Sequence, residues 1–126
     1  TVFAAAQRHG AAIPALAVTD TLKQVEHQRI TSTVSRQGLF QAQTPQVFRR
    51  DWLVQAYAQR SQLSEPITDD AQLVEAAGHP VMIVPGSPLN FKITTPEDLE
   101  LAEAVIKLRA TKKSASRLGF HDEAQW

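Results

Sequence analysis

"TVFAAAQRHGAAIPALAV", residues 1–18, decides the architecture with its first two elements. Ala4, Ala5 and Ala6 are good helix formers, and Arg8 with His9 suits the negative end of a helix. Gly10 fits the position just past the helix, where the backbone turns left-handed. The run Ala11–Val18 follows with no spacer. A near-continuous apolar run of that length is the pattern of a buried strand in an α/β layer. Pro14 has no amide hydrogen and argues against a central strand with full pairing. A helix of about nine residues is marginal by itself, so these residues read as the inside of a domain.

The totals narrow the function classes. The 126 residues suffice for one domain with a modest core. Lys plus Arg equals Asp plus Glu at 13 each, so no net charge steers nucleic acid or a membrane surface toward the chain. Aromatic residues at 6% are too sparse for a single-strand stacking platform. With no cysteine there is no disulfide, thiolate metal site or Cys nucleophile. That is compatible with a cytoplasmic protein. No apolar run approaches the roughly 20 residues that span a bilayer, and the first residues show no signal-peptide pattern.

Outward from the first strand, residues 19–36 turn polar and β-branched without a helical period. They read as an extended arm or hairpin that needs a partner surface. "GLFQAQTPQVF", 38–48, alternates until Pro45 stops regular pairing. "RRDWLVQAYAQR" predicts a helix with Asp51 as N-cap, and "TDDAQLVEAAG" another with Thr68 as N-cap. "PVMIVPG", 80–86, and "FKIT", 91–94, predict two short strands. Thr95, Pro96, Glu97 and Asp98 are start signals for a last helix. After Ala110 the apolar period is lost, and 111–126 is expected to be a flexible tail. The order of elements reads as α/β, and as the second part of a larger fold.

Candidate chemistry is sparse. The five glycines fit neither a Walker loop nor a dinucleotide fingerprint, and the four histidines form no i,i+4 pair. Lys92, at a strand-to-helix transition, is either an outward lysine or a partner for an anion such as phosphate. Arg36, just before Gly38, is either a solvated loop residue or a two-donor phosphate clamp. Thr21, Thr44 and Thr68 sit at element ends, where hydroxyls cap turns or meet ligand oxygens. Asp69 and Asp70 suit a helix N-terminus or a divalent cation.

Taken together, "GAAIPALAVTDTLK", "TVSRQGLFQAQTPQVF", "ITDDAQLVEAAG" and "LNFKITTPEDLELAE" resemble the 2-C-methyl-D-erythritol 4-phosphate cytidylyltransferase family, in the same order, over about residues 2–109. The resemblance implies a Rossmann-like nucleotidyltransferase fold, of which 1–110 is a C-terminal portion. It implies transfer from CTP to methylerythritol phosphate with release of pyrophosphate and with Mg²⁺, in non-mevalonate isoprenoid synthesis. By that likeness Arg36 and Lys92 are the cations that position the substrate phosphate, and Thr21, Thr44 and Thr68 line the substrate site. The arm, about 19–36, resembles a dimerisation arm that carries Arg36 toward a twin subunit in a homodimer. The family's Gly-rich CTP loop and its Asp-Ala-Ala-Arg-Pro motif are not among these residues. The Mg²⁺ ligands are therefore expected elsewhere, and the 126-residue chain is expected to be inactive alone, with apolar surface left exposed. A cytidylyltransferase for another polyol phosphate, such as ribitol 5-phosphate, and a non-catalytic dimerisation module remain as alternatives.

Overall fold

The computed structural model describes residues 1–117, in two units, Thr1–Asn90 and the part from Phe91 onward. The first unit opens on helix α1, Val2–His9, whose N-terminus is capped by the Thr1 hydroxyl accepting from the Ala4 amide at 3.2 Å. Gly10 closes it in the left-handed region at φ 94°, donating its N–H to the Ala6 carbonyl at 2.7 Å. Strand β1, Ala11–Ala17, starts at the next residue. Residues 11–15 are buried in succession, and since neighbours on a strand face opposite ways, both faces of β1 are covered there.

β1 is central, yet, as Pro14 led one to expect, it is not fully paired. Strands β4, Phe40–Ala42, and β5, Val47–Phe48, lie antiparallel along one side of it, and β6, Met82–Pro85, lies parallel along the other. The register explains how the proline is accommodated. Ala15 faces Ala42 and Ala12 faces Val47, so three steps along β1 correspond to five along its neighbour. The surplus is an excursion at 43–46 that contains the cis Thr44–Pro45 bond. Pro14 falls opposite Gln43 and accepts its N–H at 2.8 Å, but has no N–H to return. The ladder breaks where the missing donor would have been needed.

The hairpin of β2, Leu22–Glu26, and β3, Arg29–Val34, forms a separate two-stranded sheet, as the composition of the arm suggested. Its turn places His27 and Gln28 at φ 48° and 65°, the twist that suits a tight hairpin. Val25 and Ile30 remain exposed on it.

Helices α2, Arg50–Ala58, and α3, Asp70–Ala76, pack on each other, with a short 3₁₀ turn, Arg60–Gln62, after α2. Ala56, Leu73 and Val74 join Ala11 in the core, flanked by Phe48, Trp52, Leu53, Leu63, Ala77 and Val81. Both expected caps are corrected. Arg49 is the N-cap of α2, because Asp51 lies in the first turn and pairs with the Arg49 guanidinium at 2.9 Å. Asp69, not Thr68, caps α3, its carboxylate accepting from the Gln72 N–H at 2.9 Å. Trp52 is wedged between neighbours: His79 stacks on it at 4.4 Å, Arg49 lies 5.2 Å from its ring centre, and its edge abuts Gly10.

In the second unit "FKIT" forms no strand, because no ladder partner lies beside it among the described residues. Helix α4, Pro96–Arg117, begins as expected, with the Asp98 amide donating to the Thr95 hydroxyl at 3.2 Å. The Asp98 carboxylate accepts from the amides of Thr94 and Thr95, both at 3.1 Å, and from the Thr94 hydroxyl. These bonds, that from the Thr94 amide foremost, hold its pKa below the ordinary 3.8. The helix runs seven residues past the expected end at Ala110, since Lys112, Lys113 and Ala115 propagate a helix without an apolar stripe. The rest of the expected tail lies outside the described residues.

Gly10→Ala is expected to destabilise by about 2–4 kcal/mol, combining the left-handed backbone with overpacking, since a Cβ there would overlap the Trp52 ring. Gly78→Ala, at φ 91° with open space around it, should lose only the backbone part, about 1–2 kcal/mol. Urea unfolding of both variants checks the ranking; equal losses would remove Trp52 from the explanation.

Because the folded pKa of Asp98 is depressed, its contribution is present above 3.8 and is lost as pH falls through the folded value. Acid titration followed at the Thr94 and Thr95 amides should show the first turn of α4 loosening in that window. Asp98→Ala should show it loosened already at neutral pH. A variant with the parent's acid profile would exclude Asp98 as the titrating cap.

Candidate functional site

β1 and β6 run parallel, so their carboxyl ends lie at the same end of the sheet. In open α/β sheets ligands bind outside such ends. The chain leaves β1 into the arm, and leaves β6 into Gly86–Asn90. Of the sequence-predicted residues of the first unit, Thr21 and Arg36 fall at this end of the sheet and Thr44 on the 43–46 excursion, while Thr68 precedes α3.

Arg36 follows β3 and donates to the Thr19 carbonyl, closing the base of the arm across 17 residues of chain. Leu39 N–H then donates to the Arg36 carbonyl at 3.0 Å and Val18 N–H to the Leu39 carbonyl at 3.0 Å, which brings the returning chain back against β1. Thr21 is two residues from Thr19, at the start of the arm, exposed. The structure thus places Arg36 and Thr21 on one local frame. One of the five guanidinium donors is bound by the backbone; the exposed fork carries the others.

Thr44 and Thr68 form a second group. Thr44 is exposed at the tip of the excursion, and its carbonyl accepts from Asn90 Nδ2 at 2.7 Å. Thr68, also exposed, precedes α3; its N–H donates to Gln72 Oε1 at 2.9 Å, and Gln72 N–H returns to Asp69. Gln46 joins the two: Nε2 donates to Asp69 Oδ2 at 2.9 Å and Oε1 accepts from the Ala71 N–H at 3.2 Å. On the other flank of Thr44, Gln43 pairs with Ser87. A cavity of about 310 Å³ opens beside the excursion, lined in part by Pro14, Pro45, Ser87 and Asn90.

Lys92 belongs to the second unit. It is exposed, and has no hydrogen-bond or ion-pair partner among the described residues. Its exposure fits the outward-lysine reading and leaves the ammonium available to an anion.

The described residues do not fit a magnesium site. No group of three or more metal-binding side chains is found among the described residues. Asp69 spends one oxygen on Gln72 and the other on Gln46, and Asp70 accepts from the Tyr57 hydroxyl at 2.5 Å. That bond raises the Tyr57 pKa above its usual 10. The acidic pair at 69–70 therefore serves helix start and packing. No helix of the described residues is long and apolar enough to cross a membrane.

Sequence reading missed Gln43, Gln46 and Asn90. The two glutamines stood in view as the outer letters of Gln-Thr-Pro-Gln, flanking the one Thr-Pro step where strand pairing stops.

Comparison with known proteins covers the same residues. Residues 1–108 match the family described as 2-C-methyl-D-erythritol 4-phosphate cytidylyltransferase. The protein of that name from Pelotomaculum thermopropionicum is 50% identical over 109 residues, covering 86% of this chain and 46% of that protein. Its counterpart from Salinibacter ruber is 47% identical over 104 residues, covering 82% and 44%. The crystal structure of the enzyme from Thermus thermophilus superposes with a TM-score of 0.74 at 47% identity, over 84% of this chain and 52% of that one. The chain thus spans roughly half the length of such relatives.

Proposed function

The chain belongs to the 2-C-methyl-D-erythritol 4-phosphate cytidylyltransferase family, and from that premise we propose that the protein carrying it is a cytoplasmic enzyme that joins CTP to 2-C-methyl-D-erythritol 4-phosphate. The observation that carries this reading is the family match across residues 1–108, which spans Thr21, Arg36, Thr44, Thr68 and Lys92, all five solvent-exposed. Exposed hydroxyls and cations that no other side chain neutralises are suited to phosphate.

In this reaction a phosphate oxygen of the substrate attacks the α-phosphorus of CTP. An O–P bond forms, the α–β bridging bond breaks, and pyrophosphate leaves with the electron pair. Little covalent chemistry falls to these residues, so their contribution is placement and charge neutralisation. Lys92 supplies a point charge on the substrate phosphate, and Arg36 a planar fork held at the base of the arm by Thr19. Thr21, Thr44 and Thr68 offer hydroxyls to the remaining oxygens. Mg²⁺ is proposed to act in the complete enzyme, with ligands other than the residues described. The arm, residues 19–36, pairs with its twin in a homodimer; a lone two-stranded hairpin is marginal, and Val25 and Ile30 stand 53% and 60% exposed on it.

The test is CTP-dependent pyrophosphate release by the full-length protein with Mg²⁺, comparing methylerythritol phosphate with ribitol 5-phosphate. Release selective for the former is expected. Selectivity for ribitol phosphate would reassign the substrate, and no release with either would end the enzymatic reading. The 126-residue chain alone is expected to release none.

Lys92→Ala in the same protein should lower kcat/KM roughly 10- to 100-fold through loss of a charge-assisted bond. Stability should stay within about 0.5 kcal/mol, as for other exposed sites. Normal turnover in Lys92→Ala would strip that residue of its role while leaving the family assignment untouched.

A further inference from the structure

Gln43 and Gln46 flank Thr44–Pro45, and each commits its side-chain amide to partners far along the chain. Gln43 Nε2 donates to the Ser87 carbonyl at 2.8 Å while Gln43 Oε1 accepts from the Ser87 N–H at 3.1 Å. That two-point pairing imitates a rung between strands, formed by a side chain 44 residues away. The preceding residue makes room for it: a Cβ on Gly86 would overlap Gln43 Oε1 and stand 3.2 Å from the Ala15 carbonyl carbon. Gln46 uses both ends of its amide as well, on Asp69 Oδ2 at 2.9 Å and on the Ala71 N–H at 3.2 Å. Its Nε2 also reaches the Gln43 carbonyl at 3.5 Å, the acceptor that Pro14 leaves without a donor.

We infer that Gln43 and Gln46 are positioning residues, a two-amide clamp that fixes Thr44 between the turn after β6 and the start of α3. Gln46 sets the spacing between Thr44 and Thr68, because its anchor points, Asp69 and Ala71, lie one and three residues after Thr68. Neither glutamine needs to touch substrate. The consequence for substrate rests on the proposed function; the clamp itself rests on geometry alone. A glutamine amide is neutral and offers a donor and an acceptor at fixed separation. That is the requirement here, where a carboxylate must be met by a donor and a backbone N–H by an acceptor.

The experiment exchanges those chemistries. Gln46→Glu keeps the acceptor for Ala71 but sets a carboxylate against Asp69, a like-charge contact. Adding Asp69→Asn restores a donor–acceptor pair with the polarity reversed, and asparagine remains a good N-cap. In the full-length protein, Gln46→Glu should raise KM for methylerythritol phosphate about tenfold, with kcat at saturation within about threefold and a melting temperature lowered by only a few degrees. The Gln46→Glu/Asp69→Asn double variant should return KM to within about threefold of the parent. An unchanged KM in the single variant, or a double variant no better than the single, would overturn the inference.

Should the parent release no pyrophosphate, the functional reading fails on its own. The clamp is then judged by hydrogen exchange in the full-length protein: Gln46→Ala should speed exchange of the Ala71 amide at least about tenfold and leave that of Leu73 unchanged. Equal Ala71 exchange in parent and variant would dispose of the clamp too. Gly86→Ala, which crowds the Gln43 amide, serves as a second variant with the same expected rise in KM.

Discussion

The missing amide hydrogen of Pro14 is the constraint around which the first unit is arranged. β1 is the strand with partners on both sides, so each of its backbone groups is called on. Opposite Gln43 the pair exchanges one hydrogen bond where an ordinary rung exchanges two. The neighbouring strand cannot continue in register past that point. It leaves, makes the 43–46 excursion and returns two residues out of step. A loop that cannot be held by a ladder must be held by side chains, and Gln43, Gln46 and Asn90 do so. The candidate threonine at 44 is presented on that loop because regular pairing was impossible there.

The same economy is visible at the other candidate residues. Arg36 closes the arm on the Thr19 carbonyl, and Thr68 is fixed through the Gln72 amide. In each case local bonds fix the backbone while a hydroxyl or part of a guanidinium stays exposed. Side chains placed by an existing frame lose less entropy when they meet a ligand than side chains that must be ordered by it. Lys92 differs, since its ammonium has no partner among the described residues. A lysine of that kind acts as a mobile point charge, which suits a phosphate whose oxygens are equivalent, whereas a fork such as Arg36 also fixes orientation.

Much of this was legible where a single residue type carries the signal. Gly10 stopped α1 and the apolar run of β1 followed, because both depend on local backbone and burial. The arm was legible as a hairpin from its β-branched, polar composition, though not its turn: His27 and Gln28 take positive φ with neither glycine nor asparagine to announce it. Pro14 correctly ruled out full pairing of β1, but a proline excludes one hydrogen bond and not a central position, provided the partner strand gives way there. The N-caps misled by short steps, Asp51 being drawn to Arg49 and Asp69 outcompeting Thr68. "FKIT" has strand composition and no strand partner among the described residues, and strand formation is a property of the pair.

The sequence nominates candidate charged and hydroxyl residues and is silent on what places them. Thr21, Arg36, Thr44, Thr68 and Lys92 each read equally as caps, turn residues or solvated charges, and only the family resemblance singled them out together. Gln43 and Gln46 do not stand out, because a glutamine in a strand-like stretch is ordinarily a solvated residue. Their function appears only when Ser87, Asp69 and Ala71 are brought beside them, contacts separated by 44, 23 and 25 residues. Residues of a charged or hydroxyl type can be nominated from sequence, whereas residues that position them are defined by partners, which composition does not reveal. In this fold the second kind accounts for the placement of Thr44, and it was Pro14, a residue that supplies no chemistry, that made such placement necessary.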